Sequence, residues 1–494
     1  MRYAPILGGL LALSPLAAQG DFDLDKVTAG TLGGTLTLEV SNAGSNRLFG
    51  VMISYDDGPT AIAPFDPADP RSVAVGLDLV SNWYVLGTGA TGSATWNTSL
   101  PNIAAFHGDV LHWQCATLPG TATILDGISN PVRTHLGLAG QSALLPAALQ
   151  APRAAAVVCE VGDGDLLLVG AAGNDRFRFR SLDSVAGPAM VTPRGLPAAA
   201  RLNDGRYLFA GGVDGTGAAI AACEIYDPAT DTFTAVANMR TIRAGHAAAT
   251  MANGRVLVVG GTNNFTDLLT AAASTLNTAE IYDPNTNTWT AAPNIGGRRL
   301  VPALSTLSNG KTMISGGIEV TVFFGIPIAV SSTTAVQLFD PTTNSWSNGP
   351  AMPAGRAYHH DSQVTLADGR VLMSGGVLVP SLAGAANATS IRNADIYDPV
   401  ANSWTATMMA ADRTTHTATR LANGTVIVCG GAGGLLSAAT PLDSVEAFDP
   451  TTNTWSAMAA LTGPRAAHMA ALMPDGLLVL LGGDGSTDGE ALHF

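Results

Sequence analysis

R-A-G-H-A-A-A-T-M-A-N-G-R-V-L-V-V-G-G, residues 243–261, is followed after a polar loop by A-E-I-Y-D-P-N-T-N-T-W-T-A-A-P-N, residues 279–294. This stretch reads as four short strands, a to d. The first, H-A-A-A-T-M-A, is bounded by Gly245 and by Asn253-Gly254. The second, Arg255 to Val259, is a continuous β-branched run ending at Gly260-Gly261, the pattern of a strand covered on both faces. Ala279 to Tyr282 is the third. Asp283-Pro284 opens a tight turn, because Pro fixes φ and the Asp side chain bonds nearby backbone N–H groups. Trp289 starts the fourth. One such sheet cannot cover both its faces alone, whereas copies packed face to face in a ring can. The side-chain-free Gly260-Gly261 then offers a place for a neighbouring ring, with Tyr282 and Trp289 as the expected occupants.

The unit recurs to the end of the sequence. First strands begin near Arg153, Arg194, Arg243, Arg299, Arg356, Arg413 and Arg465, which predicts seven blades. Glycine pairs recur at Gly211-Gly212, Gly260-Gly261, Gly316-Gly317, Gly375-Gly376, Gly430-Gly431 and Gly482-Gly483, with a degenerate Gly170-Ala171 in the first unit. R-x-x-H, then V-L-V-V-G-G, then E-x-Y-D-P, then W resembles the kelch repeat over about the last 350 residues. That resemblance implies a β-propeller over 139–494. The segment S-A-L-L-P-A-A-L-Q-A-P-R, ending at Arg153, matches W-S-A-M-A-A-L-T-G-P-R, ending at Arg465, and the last unit lacks strand d. Residues 140–149 are therefore expected to supply that outer strand and close the ring, removing a sheet edge.

Residues 1–20 carry Arg2, an apolar run from Ile6 to Leu13 and small residues at Ala17-Ala18, and read as a secretory signal peptide. Residues 21–138 do not fit the repeat. L-T-L-E-V-S-N, G-V-M-I-S-Y, S-A-T-W-N-T-S-L and V-L-H-W-Q-C, separated by Gly, Asn, Asp and Pro clusters, predict an accessory β-sandwich. Trp83, Trp96 and Trp113 form either its core or a sugar-stacking surface. The fold class is thus all-β, a sandwich followed by a seven-bladed propeller, with no convincing amphipathic helix. Cys115, Cys159, Cys223 and Cys429 lack metal-type spacing and read as buried thiols, a Cys159–Cys223 disulfide being the alternative. Net charge is −14, and Lys26 and Lys311 are the only lysines, which opposes nucleic-acid or anionic-membrane partners. No run is long enough for a membrane span.

Strand polarity puts the d–a and b–c loops on one face. The long b–c loops are 262–278, 318–334, 377–393 and 432–444, and I-E-V-T-V-F-F-G-I-P-I-A-V in the second reads as a projecting apolar hairpin. The candidate ligand-binding residues of that face are Arg194, Arg243, His246, Arg299, Arg356, Tyr358, His359, Arg413, His416, Arg465 and His468. Some of the arginines are expected to pair with Asp or Glu, and others to meet a carboxylate or sugar hydroxyls. The four histidines either converge near the axis, where they could hold a transition metal, or are repeat residues bonding between blades.

The layout also resembles the secreted galactose oxidases. G-R-A-Y-H-H at 355–360, followed by D-G-R-V-L, is similar to their segment bearing an axial tyrosine and a histidine copper ligand, which would make Tyr358 and His359 that pair. Their cross-linked cysteine would fall near Leu196 and its tyrosine partner near Gly245, so the radical cofactor is not expected; their last histidine ligand comes from a further C-terminal domain. No cofactor, resident metal or catalytic residue is assigned. The sequence points to an exported or cell-surface binding module for a glycan or protein, the alternative being a sugar-directed enzyme using axial Arg and His in metal-assisted or acid–base chemistry.

Overall fold

The structure is a computed structural model. It describes residues 22–494 apart from 56–57, 59, 63–67, 69–70, 74, 76–83, 119–124, 146–148, 172, 361 and 484. The expected signal peptide and Trp83 lie outside the described residues. The chain divides into two compact units, Met1–Leu136 and Gly137–Phe494.

In the first unit, Thr35–Ser41 pairs with Asp23–Lys26 on one side and Ala94–Ser99 on the other. A second sheet runs Gly30–Leu32, Val132–Leu138, Val110–Leu118, Leu48–Ser54, Tyr84–Gly87. The central strand T-L-T-L-E-V-S buries Leu36, Leu38 and Val40 and turns Thr35 and Glu39 outward, the period-2 pattern of a half-covered sheet. Trp96 of the first sheet meets Trp113 of the second with ring centroids 5.2 Å apart, and both are buried. These two tryptophans are core, so they form no sugar-stacking surface.

The second unit contains, among the described residues, seven sheets with the a-b-c-d order. Blade 3 is the opening stretch itself: Ala247–Thr250, Val256–Val259, Ala279–Asp283 and Thr288–Ala292, all antiparallel. Strand b is fully buried in this blade because both of its faces are covered by other sheets. The expected closure is present: Ser142–Leu144 pairs antiparallel with Glu490–Leu492 as the outer strand of the sheet formed by Met469–Leu472, Leu478–Leu481 and Gly489–Leu492. Strand a of this last blade also lies against strand a of the first, Val157–Glu160.

Apolar clusters straddle neighbouring blades. Tyr282 and Trp289 stack on each other at 5.1 Å and pack on Ala200, Leu208 and Ile225 of the preceding sheet. They do not occupy the glycine gap, contrary to expectation. A Cβ on Gly260 would lie 2.5 Å from the Arg299 carbonyl oxygen, so the gap holds backbone of the next blade. The second glycine of each pair donates its N–H to that carbonyl: Gly261 to Arg299 at 2.8 Å, Gly317 to Arg356 at 2.8 Å, and Gly483 back to Arg153 at 2.7 Å. The last of these links blade 7 to blade 1.

All four cysteines are buried free thiols. One short helix, Leu268–Ala273, stands in the first long b–c loop, capped by Asp267. Sequence periodicity did not show it, since six residues are too few to establish a 3.6-residue pattern.

Candidate binding face

The repeated arginines are not exposed on the loop-bearing face. Each is buried, and all but Arg299 pair within their own blade with a carboxylate of strand c. Arg153 pairs with Asp175 at 3.0 Å, Arg243 with Glu280 at 2.8 Å, Arg413 with Glu446 at 2.6 Å and Arg465 with Glu490 at 2.8 Å; Arg194 pairs with Glu224 and Arg356 with Asp395. The glutamates among them also accept backbone N–H groups from the incoming d–a segment. Glu280 takes those of Arg240 at 2.7 Å and Thr241 at 3.1 Å, and Glu446 takes those of Ala410 and Ala411. Burial lowers the pKa of Arg243 and Arg356, and the facing carboxylates work against that shift. The pairs therefore tie the crossover between blades to the next sheet. The signal for the missing partner was present in the sequence as E-x-Y and D-x-Y in strand c.

The histidines do not converge on the axis. Each enters a seam between two blades. His359 Nε2 lies 3.1 Å from Ser315 Oγ, His416 Nε2 2.9 Å from Ser374 Oγ, and His468 Nε2 2.9 Å from Thr417 Oγ1. In the seam of His246 the residue matching Ser315 and Ser374 is Ala210, which has no hydroxyl. A Cβ on Gly211 would lie 2.8 Å from His246 Cε1, so the ring fills part of the glycine gap. Burial, then the neighbouring arginine, holds the pKa of His246 down to about 3 and those of His359 and His416 well below the usual value.

Arg and His diverge because the residue between them is left-handed. Ala155, Leu196, Gly245, Val301, Tyr358, Thr415 and Ala467, each two positions after an arginine, all have φ between +46° and +62°. Left-handed Val301 and Thr415 are costly conformations for β-branched residues. Bonds around the ring hold them: Val301 N–H to the Gly245 carbonyl at 2.8 Å, Ala467 to Thr415 at 2.9 Å, and Ala155 to Ala467 at 2.8 Å. Tyr358 and Leu196 are exposed at this position.

Around this ring the d–a segments bridge to the b–c loops, at Ala244–Thr262, Ala357–Val377 and Thr414–Ala432, so both sets of loops share one face. The four long b–c loops join side by side. The helix Leu268–Ala273 touches the hairpin Ile318–Phe323/Ile326–Ser332. Ser332 N–H donates to Val379 O at 2.9 Å in the next loop. Leu436 N–H donates to Ala388 O at 2.8 Å in the loop after. These loops carry only Asp267, Glu319, Arg392 and Asp443 as charged residues. Their exposed large apolar side chains are Leu269, Phe323, Phe324, Ile326, Ile328, Leu378, Leu382, Leu435 and Leu436, with Phe324 89% and Ile326 64% accessible. Among the described residues, Val400 is the exposed large apolar residue on the turns of the opposite face.

The copper site of the galactose oxidases does not fit these residues. Leu196 has no thiol, His359 Nε2 is engaged with Ser315 in a seam, and among the described residues no three His, Cys, Asp or Glu side chains come together.

The Kelch motif family model matches residues 243–296 and 413–462. Kelch-like protein 25 of Xenopus tropicalis is 27% identical over 238 residues, 47% of this chain and 36% of its own length. The spermatocyte protein spe-26 of Caenorhabditis elegans is 25% identical over 207 residues, 42% of this chain and 34% of its own length. The chain thus spans about a third of the length of the curated relatives it matches. Among solved structures, a fungal alcohol oxidase in complex with copper aligns with a TM-score of 0.53 at 18% identity, covering 71% of this chain and 75% of that one, a likeness of fold. With the repeated sheets, their circular closure and these matches on the page, the chain carries kelch motifs on a β-propeller fold.

Proposed function

We propose that this chain is a protein-interaction module that engages its partner through the loop-bearing face of the propeller. The observation that carries the reading is the concentration of exposed large apolar side chains on charge-poor, mutually braced loops of one face of an acidic molecule. Exposed apolar patches of this kind mark association surfaces, and aromatic anchors contribute most where they desolvate fully. A protein ligand is favoured over a glycan because Trp96 and Trp113, the candidate sugar platform, are occupied as core. What argues against the enzyme alternative is that its reagents are engaged: six of the seven repeated arginines pair with carboxylates within blades, and the histidines sit in seams. Asp395 has a pKa raised by burial, but its neighbour is Arg356 and not a histidine.

Covalent capture of partners by the full-length chain, compared with Phe324→Asp, tests this reading. A partner retained by the wild type and lost with the variant supports it, and equal recovery contradicts it. Export is a further part of the proposal, motivated by residues 1–20. N-terminal sequencing of the product should find a start shortly after Ala18, and a mature protein still beginning at Met1 would contradict export.

A further inference from the structure

Blade 4 breaks the rule that the other six obey. Strand c carries Asp175, Glu224, Glu280, Asp395, Glu446 or Glu490 opposite the buried arginine, but here it carries Gln337. Arg299 is nevertheless buried, with its Nη1 donating to the Ala335 carbonyl at 3.0 Å. In blade 3 the Glu280 carboxylate accepts from the backbone N–H groups three and two residues before the arginine. In blade 4 Gln337 keeps the first of these bonds, and a carboxylate from outside strand c stands beside the second position. Gln337 Oε1 accepts from Gly296 N–H, three before Arg299, at 3.1 Å. Glu319 stands over Gly297, two before it: a Cβ built on that glycine would lie 2.6 Å from Glu319 Oε1.

Glu319 belongs to the projecting hairpin, not to strand c. The d–a segment itself becomes a strand here, Arg298–Leu300, pairs with Ile318–Val320, and sets Arg299 directly opposite Glu319. Arg298 beside it donates from Nη1 to the Thr275 carbonyl of the preceding loop at 2.6 Å. The blade's missing negative charge has therefore moved to the base of the element whose tip is Phe323-Phe324-Gly325-Ile326. Burial works against the charge on Arg299, and the field of Glu319 supports it.

We infer that Glu319 is a positioning residue: it replaces the carboxylate absent from strand c of blade 4 and thereby fixes the attitude of the apolar hairpin on the propeller. A buried guanidinium left without an anion is costly, so the hairpin base stays docked where its carboxylate can answer Arg299. The inference rests on the hairpin being part of the binding face. That reading has its own test through Phe324→Asp, which leaves Glu319 in place, so the two can fail separately.

The test uses three full-length variants, Glu319→Gln, Gln337→Glu and the double variant, read by melting temperature and by chymotrypsin cleavage at Phe323 and Phe324, located by mass spectrometry. Glu319→Gln should lower the melting temperature by on the order of 3 °C and speed cleavage of the tip about tenfold, because proteolysis follows the population of the loosened hairpin. In the double variant a carboxylate returns to strand c. The melting temperature should recover while the tip remains rapidly cleaved, since the new charge no longer belongs to the hairpin. If Glu319→Gln alone does not fold, the comparison of Gln337→Glu with the double variant reads the same quantity, because both carry a blade carboxylate. Cleavage within twofold of wild type in the variants lacking Glu319 would overturn the inference. So would recovery of both readouts in the double variant, which would make Glu319 an ordinary ion partner.

Discussion

A histidine three residues after an arginine looks, in one dimension, like two polar groups offered to the same place. In the molecule they part company at a left-handed residue, the arginine entering its own blade and the histidine the seam. The sequence hid this because the turning position holds Leu196, Val301 and Thr415 as readily as Gly245, and only the glycine announces positive φ. The histidines carry a pH prediction. His246, His359 and His416 have pKa values depressed in the folded state, by burial first and by the adjacent arginine second. Between the ordinary value and the folded one the unfolded chain binds more protons than the folded chain. Each ring therefore contributes stability that is full above pH ~6.5 and declines as pH falls toward the folded value. Chemical denaturation between pH 7 and 4.5 should show a loss approaching ~1.4 kcal/mol per pH unit per histidine. His416→Gln should flatten that slope. A stability independent of pH across this window would contradict the assignment of these rings as buried and neutral.

At the scale of elements, strands b and c were legible because their cues are local: a β-branched run closed by two glycines, and an aromatic followed by Asp-Pro. The hairpin at 318–332 was legible for the same reason, as apolar residues on both sides of Phe324-Gly325. The partner of the glycine pair was not, because the carbonyl of Arg299 that fills it comes from the next blade, some forty residues on. The terminal strand was readable through the match between the segments ending at Arg153 and Arg465, and the pairing of Ser142–Leu144 with Glu490–Leu492 bears it out. Removing Glu490–Phe494 takes away that pairing and the anion of Arg465 together. Breaking a buried pair alone costs about 3–5 kcal/mol. Calorimetry of the truncated chain should show a melting temperature lower by roughly 10 °C or more. An unchanged transition would mean that the ring does not depend on this closure.

For the whole molecule, the division of labour is between a charged, turn-bearing face and a charge-poor, loop-bearing one. The repeat predicted which loops share a face, through strand polarity alone. It did not show that the helix Leu268–Ala273, the hairpin and the loops after it brace one another, because those contacts join insertions that lie outside the repeat. Nor did it show that the arginines and histidines are spent on holding blades together, leaving apolar side chains as the exposed chemistry. The two faces offer a matched comparison, since Phe324 and Val400 are each 89% accessible and lie on opposite sides. The deciding measurement is the affinity of a captured partner for wild type, Phe324→Asp and Val400→Asp. The account predicts at least ~30-fold weaker binding for Phe324→Asp, the effect of losing a hot-spot contact of about 2 kcal/mol, and unchanged binding for Val400→Asp. Unchanged binding by Phe324→Asp, or an equal loss in both variants, would contradict it.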